Sequence, residues 1–136
     1  MSLYAIGDLH FSTAVNKPMD VFGDNWDNHQ EKIINNWKEV ISDEDTVLVL
    51  GDTSWAINMD EAKEDLDIIN NLPGKIVFIK GNHDYWWSSL NKLKKAYEEI
   101  SFLQNTYYKY ENIGIFLIIP NVITIINNIQ SKTRCR

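Results

Sequence analysis

The sequence predicts an α/β fold built on parallel strands, in the chain order β-α-β-α-β-α, and two observations carry that prediction. Three short apolar runs each end in glycine followed by a carboxylate or carboxamide: Leu3-Tyr4-Ala5-Ile6 before Gly7-Asp8, Val47-Leu48-Val49-Leu50 before Gly51-Asp52, and Ile76-Val77-Phe78-Ile79-Lys80 before Gly81-Asn82. Between them, apolar residues recur at helical spacing. Strands alternating with helices imply a parallel sheet joined by right-handed crossovers. Ligands of such sheets bind in the crevice beyond the carboxyl ends of the strands, where the three Gly-Asp/Asn steps are expected to meet.

Each element follows from its own residues. The three runs are continuous and rich in β-branched and aliphatic residues, which suits strands buried on both faces. Trp26, Ile33, Trp37, Val40 and Ile41 mark a first helix, with Asp24 or Asn25 available as its cap. Asn58 followed three residues later by Glu61 resembles a capping box; Met59, Ala62, Leu66 and Ile69 then form an apolar stripe that Pro73-Gly74 ends. A third helix is expected to start at Ser88 or Ser89, with Leu90, Leu93, Tyr97 and Ile100 facing inward. Residues 11–23 form a long connection on the expected site face, either a lid or a plain surface excursion.

After Glu111 the character changes. Residues 112–131 carry no charge, and eight of the seventeen residues from 113 to 129 are isoleucine. Pro120, Asn121 and Thr124 interrupt this stretch, which is too short and broken for a membrane span and reads as one or two strands around Pro120-Asn121. A basic terminus, Lys132-Thr133-Arg134-Cys135-Arg136, follows. The expected organisation is therefore a domain over residues 1–111 and an atypical tail over 112–136. That tail is either a native extension or the product of a frame shift or premature end.

The chain has 136 residues, 44% of them hydrophobic and 24% charged, so wholesale disorder and fibrous architectures are excluded. Net charge is −6 and unevenly spread: residues 1–91 hold 6 basic and 16 acidic groups, residues 92–136 hold 7 and 3. An acidic front half argues against nucleic acid as partner, because phosphate backbones are held by Lys and Arg. It suits a site for divalent cations. One cysteine, Cys135, excludes an internal disulfide framework, and the first residues lack the pattern of a signal peptide. A cytoplasmic location, with no membrane partner, is the expectation.

The polar residues at the three strand ends are Asp8 and His10, then Asp52, then Asn82, His83 and Asp84. Carboxylate, imidazole and carboxamide oxygen together suit first-row divalent metals such as Mn, Fe or Zn. In Asp8-Leu9-His10 the i, i+2 spacing can put both side chains on one side of the crevice. Asp52 has two oxygens and can bridge two ions, and Asn82 offers a neutral oxygen. Glycine before each ligand permits turns that a Cβ would disfavour. His83 beside Asp84 is placed to have its tautomer fixed by the carboxylate and to donate a proton to a leaving oxygen.

These three motifs, Asp8-Leu9-His10, Gly51-Asp52 and Gly81-Asn82-His83-Asp84, resemble those of the calcineurin-like metallophosphoesterase superfamily, in its order. The resemblance implies the N-terminal half of a metallophosphoesterase sandwich and a dinuclear metal site hydrolysing a phosphoester. It assigns Asp8, His10 and Asp52 to one ion and Asp52 and Asn82 to the other. It further implies that a hydroxide bridging two ions attacks phosphorus in line, with His83 as general acid and Asp84 orienting it. Family members add histidines from the second half of the domain, in Gly-His and Gly-His-x-His steps, whereas this chain has histidine only at 10, 29 and 83. A small-molecule or nucleotide phosphoester is the expected substrate, since Gly51-Asp52-Thr53-Ser54-Trp55 lacks the Asp-Arg of the Ser/Thr phosphatases. The competing expectation is a non-catalytic metal-binding or interaction module that retains half of the site.

Several residues keep plainer readings. His29, three residues after Trp26, reads as a packing or supporting histidine rather than a ligand. Trp55, Trp86 and Trp87 either wall a pocket for an aromatic or nucleotide leaving group or pack under the loops. Asp43-Glu44-Asp45 and the acidic stretch from Asp60 to Asp67 read as solvated faces.

Overall fold

A computed structural model describes residues 1–119 and 122–127 of the chain. Four parallel strands, β1 (Leu3–Ile6), β2 (Thr46–Val49), β3 (Lys75–Ile79) and β4 (Ser101–Leu103), form one sheet in the order β1-β2-β3-β4. Thr46 stands opposite both Leu3 and Lys75, and Val77 opposite Ser101. Because the order is consecutive, right-handed crossovers put all connecting helices on one face. These helices are α1 (His29–Val40), α2 (Met59–Asn70) and α3 (Leu90–Ala96).

The pleat divides the core in two. Val47, Val49, Ile76, Phe78 and Phe102 point toward Trp37 of α1, Ala62, Leu66 and Ile69 of α2, and Leu93 of α3. Their neighbours Leu48, Val77, Ile79 and Leu103 point the other way, onto Ile115 and onto Tyr108, Tyr110 and Ile113. Those residues belong to a second, antiparallel sheet of β5 (Tyr107–Tyr110), β6 (Ile113–Ile119) and β7 (Val122–Asn127). Its hairpin pairs Tyr110 with Ile113 and Tyr107 with Phe116. With about 1.5–3 kcal/mol from each fully buried large apolar side chain, both faces of the first sheet contribute to stability. The result is a mixed α/β sandwich of helices, parallel sheet and antiparallel sheet.

The three expected strands are present, β2 and β3 each beginning one residue earlier than the apolar runs do. β2 is buried throughout, whereas β1 is only half-buried because it pairs on one side alone. A fourth parallel strand, β4, went unforeseen; three residues are too few to show a period. The first helix starts later than its apolar pattern suggested. Asp20–Phe22 and Asp24–Trp26 form two short 3-10 turns, and α1 begins at His29 after Asn28, whose φ of 51° breaks the helical path. Val40, expected in the core, is 57% exposed at the helix's last position. The second helix is capped as expected: Asn58 Oδ1 accepts from Glu61 N at 3.0 Å. Glu61, however, reaches back to Ile57 N rather than to Asn58 N. α3 begins after Ser89 with Leu93 buried as expected, but it ends at Ala96, so Tyr97 and Ile100, expected on it, are buried beyond its end.

Two acidic residues read as solvated are core residues. Asp45 is buried and accepts from Ser2 N, Ser42 N and Ser42 Oγ at 2.7–2.9 Å, which ties the N-terminus to the turn before β2. These donors, those of Ser42 first, hold its carboxyl below the usual range. Asp65 is 1% exposed and accepts from Thr13 N and Ser54 Oγ. Both carboxylates stay buried because polar donors from distant segments meet them there.

Strands stand on either side of Pro120-Asn121, and the 111/112 boundary falls in the β5–β6 turn. Pro120, Asn121 and the basic terminus at 132–136 lie outside the described residues. Among the described residues no helix is long and apolar enough to cross a membrane.

Candidate metal centre

The site is built where β1, β2 and β3 end. Strand pairing continues past the strands into the loops: Asp8 N donates to Gly51 O at 3.1 Å, His10 N to Asp52 O at 2.9 Å and Phe11 N to Thr53 O at 2.9 Å. This zipper holds the Asp8-Leu9-His10 segment against the Gly51-Asp52 turn. Asp8, His10 and Asp52 have φ values of 55°, 46° and 51°. Left-handed conformations at non-glycine residues carry strain of about 1–3 kcal/mol each and gather at functional sites. Gly51, at φ 95°, needs to be glycine, and a Cβ on Gly81 would collide with Asp52. Those two glycines therefore do what was expected of them, letting the loops after β2 and β3 touch back to back. Gly7 differs: its φ is ordinary, and a Cβ there would stand 3.2 Å from Leu50 Cβ.

His10, Asp52 and His83 each offer a ligand atom, and these atoms lie within 4.8 Å of one another. Donors that share one tetrahedral ion stand about 3.4 Å apart, as follows from metal–nitrogen bonds of about 2.1 Å, so the three side chains face one common space of ion size. His10 is 8% exposed, and its Nδ1 is buried with no hydrogen-bond partner among the described residues. A buried imidazole nitrogen left without a partner is costly unless something occupies it. The donor set and this orphaned nitrogen fit a divalent first-row cation.

Asp8 and Asn82 stand at the rim. The Asp8 side chain is 73% exposed, with Oδ1 3.5 Å from His10 Nε2. Asn82 is exposed and its Nδ2 lies 3.2 Å from His83 Nδ1. Asp52 sits between the histidines: Oδ1 accepts from His83 N and Oδ2 faces His83 Nδ1, both at 2.9 Å. Burial pushes the Asp52 carboxyl up, but hydrogen bonds from His83 and the charges of His83 and His10 outweigh it, so the group stays ionised below the usual range.

Asp84 does not orient His83, as its sequence position suggested. Its carboxylate is turned into the protein, 1% exposed, while the His83 ring turns outward to Asp52. Oδ2 accepts from Asp52 N and Gly81 N, and Oδ1 from Thr53 N and Trp86 Nε1, at 2.8–2.9 Å. Burial pushes this carboxyl up against the pull of its four donors. Asp84 thus fastens the loop after β3 to the loop after β2.

His29 supports the site from behind, as expected. Its Nε2 lies 3.1 Å from Leu9 O and 3.2 Å from His10 O, on the backbone of the first motif. The tryptophans divide. Trp86 and Trp87 are buried under the loops. Trp55 stacks on the His10 ring at 4.6 Å and lies 5.4 Å from that of His83, so it walls the site. The 11–23 connection reaches over it: Lys17 Nζ is 5.1 Å from the Trp55 ring, and Trp55 Nε1 donates to Met19 Sδ. The Asp65–Ser54–Thr13 link, which ties α2 to both the Asp52 loop and the 11–23 connection, went unforeseen. Its signal was helical phase, since Asp65 falls between Ala62 and Leu66 on the apolar stripe.

Comparisons with known proteins agree with this geometry. Residues 1–133 match the calcineurin-like phosphoesterase family. The chain is 36% identical over 87 residues to an uncharacterised protein of Methanocaldococcus jannaschii, MJ1445, covering 60% of this chain and 46% of that one. It thus spans about half the length of that curated relative. Its fold is similar to the crystal structure of AQ665, a protein of unknown function from Aquifex aeolicus, with a TM-score of 0.51 and 23% identity over 84% of this chain and 58% of that one. Motifs at three strand ends, a ligand cluster in the crevice they form and a sequence match over nearly the whole chain together make it a member of the calcineurin-like phosphoesterase family.

Proposed function

We propose that the chain serves metal-dependent hydrolysis of a phosphoester. The observation that carries this reading is the His10–Asp52–His83 cluster, closed to 4.8 Å at the carboxyl ends of parallel strands. In this reading Asp8, His10 and Asp52 hold one divalent ion, Mn, Fe or Zn, and Asp52 with Asn82 holds a second. Bound divalent ions supply a nucleophilic water of lowered pKa and neutralise charge on the phosphoryl oxygens.

The chain's own residues do the rest. Asp52, kept ionised, offers both oxygens, and its pairing with His83 Nδ1 keeps the ring at the site. His83, its imidazole 39% exposed at the crevice mouth, faces the leaving oxygen rather than an ion and serves as general acid. His29 and Asp84 hold the two loops in register through backbone groups. Trp55 excludes water from one side of His10. The substrate is a small-molecule or nucleotide phosphoester, a reading supported by the acidic front half of the chain and by the aromatic wall. The single cysteine supports work in the reducing cytoplasm.

One observation favours a second reading. With His29 engaged on the backbone and His83 turned to the leaving group, His10 is the one histidine of the chain's three left for an ion. A module that binds one ion without turnover would have this inventory. Hydrolysis of an aryl phosphate with added Mn²⁺ separates the two: turnover lost in His83→Ala and in Asp52→Asn supports the hydrolase. Bound metal with no turnover supports the module.

A further inference from the structure

Beside the His83 loop lies a groove of 480 Å³ between the start of α2 and the start of α3, lined by Ile57, Met59, Tyr85, Trp87, Ser88 and Lys92. Its size falls in the range of about 300–1,000 Å³ that small-molecule sites occupy. Two features set it apart from an ordinary surface hollow. Ile57 and Tyr85 are among the few large apolar side chains held in solvent, 62% and 63% exposed, and both stand on this one groove. The groove also adjoins the metal centre through Tyr85, whose ring stands edge-on to the His83 ring at 6.3 Å. Tyr85 is therefore the groove residue next to which a group leaving at His83 would emerge.

We infer that this groove is the leaving-group subsite of the phosphoester reading above, on which the inference rests, and that it takes a flat aromatic group, an aryl ring or nucleobase. Tyr85 and Ile57 offer faces for such a ring, and aromatic pairs gain from offset or edge contacts that an alkyl chain does not make. Lys92 lines the same groove and supplies its cation. It suits the heteroatoms of a ring edge. A substrate with a small alkyl leaving group would leave all of these unengaged.

The test uses two phosphonates that cannot be hydrolysed, binding to the full chain with Mn²⁺ present, followed by calorimetry. Phenylphosphonate is expected to bind about tenfold or more tightly than methylphosphonate, a ratio set by the ring alone. In Tyr85→Ala, a change at an exposed position, that ratio should fall close to one. Phenylphosphonate, and not methylphosphonate, should also shift the indole N–H resonance of Trp87. Equal affinity of the two for the unaltered chain overturns the subsite and leaves the metal centre standing. A phenyl preference that survives Tyr85→Ala puts the ring elsewhere and overturns it too. Failure of both phosphonates to bind metal-loaded protein refutes the hydrolase reading, and this inference with it.

Discussion

Asp84→Asn separates the fastening role found for this residue from the orienting role its sequence position suggested. Each carboxylate oxygen accepts two N–H groups, Asp52 N and Gly81 N on one, Thr53 N and Trp86 Nε1 on the other. An asparagine keeps one acceptor oxygen and turns an NH₂ toward the remaining two donors. Two buried N–H groups are then stranded at about 1–3 kcal/mol each, or about 2–6 kcal/mol in all. That is a large share of a typical domain stability of about 5–15 kcal/mol. The loss falls on the loops that carry Asp52 and His83, so divalent-metal affinity should drop about 10–100-fold, as it does when groups supporting metal ligands are removed. Urea unfolding and Mn²⁺ titration measure the two effects. Trp86→Phe provides the scale, since it removes one donor and leaves both oxygens bonded. Asp84→Asn with stability within 0.5 kcal/mol of the parent chain and unchanged metal affinity would refute the reasoning.

Three further outcomes follow from the same structure. Gly81→Ala drives a Cβ into Asp52 and should cost about 1–3 kcal/mol by overpacking; a urea midpoint equal to that of the parent chain would contradict the back-to-back packing of the two loops. His29→Ala removes the support of Leu9 O and His10 O without touching a ligand, so Mn²⁺ affinity should fall about tenfold with stoichiometry kept; loss of a whole binding equivalent would make His29 a ligand instead. Asp45 has a lowered carboxyl pKa in the folded chain, so its ionised form adds stability above about pH 3.9, the ordinary carboxylate value, and that stability is lost as pH falls through the lowered folded value. Asp45→Asn should accordingly flatten the acid limb of thermal stability against pH, and an unchanged limb would exclude Asp45 as its source.

Much of the site was legible because its chemistry is written at strand ends. Gly-Asp or Gly-Asn after an apolar run announces both a strand and the direction in which its ligand faces, and His10, Asp52 and His83 do converge. The division of labour inside the Asn82-His83-Asp84 segment was not legible. The turn after β3 sent Asp84 into the core, where it accepts from Gly81 N, while His83 turned to Asp52; neighbours in sequence were poor partners in space. Asp45 and Asp65 hid for a related reason. A carboxylate within an acidic stretch reads as solvated, and among the donors that keep these two buried are Ser2 N and Thr13 N, 43 and 52 residues away. β4 and β5 are too short for periodicity to reveal; the strands around Pro120-Asn121 were legible, but their packing as a second sheet became visible only through the apolar face that β2, β3 and β4 present to it.

The central claim is that the ends of β1, β2 and β3 form a divalent-metal site. Mn²⁺ binding followed by electron paramagnetic resonance and calorimetry on the full chain tests it most directly. The prediction is stoichiometric uptake of at least one ion per chain, lost in Asp52→Asn and His10→Ala while both variants remain folded. Failure to take up Mn²⁺, Fe²⁺ or Zn²⁺, or uptake that both variants leave unchanged, would contradict it.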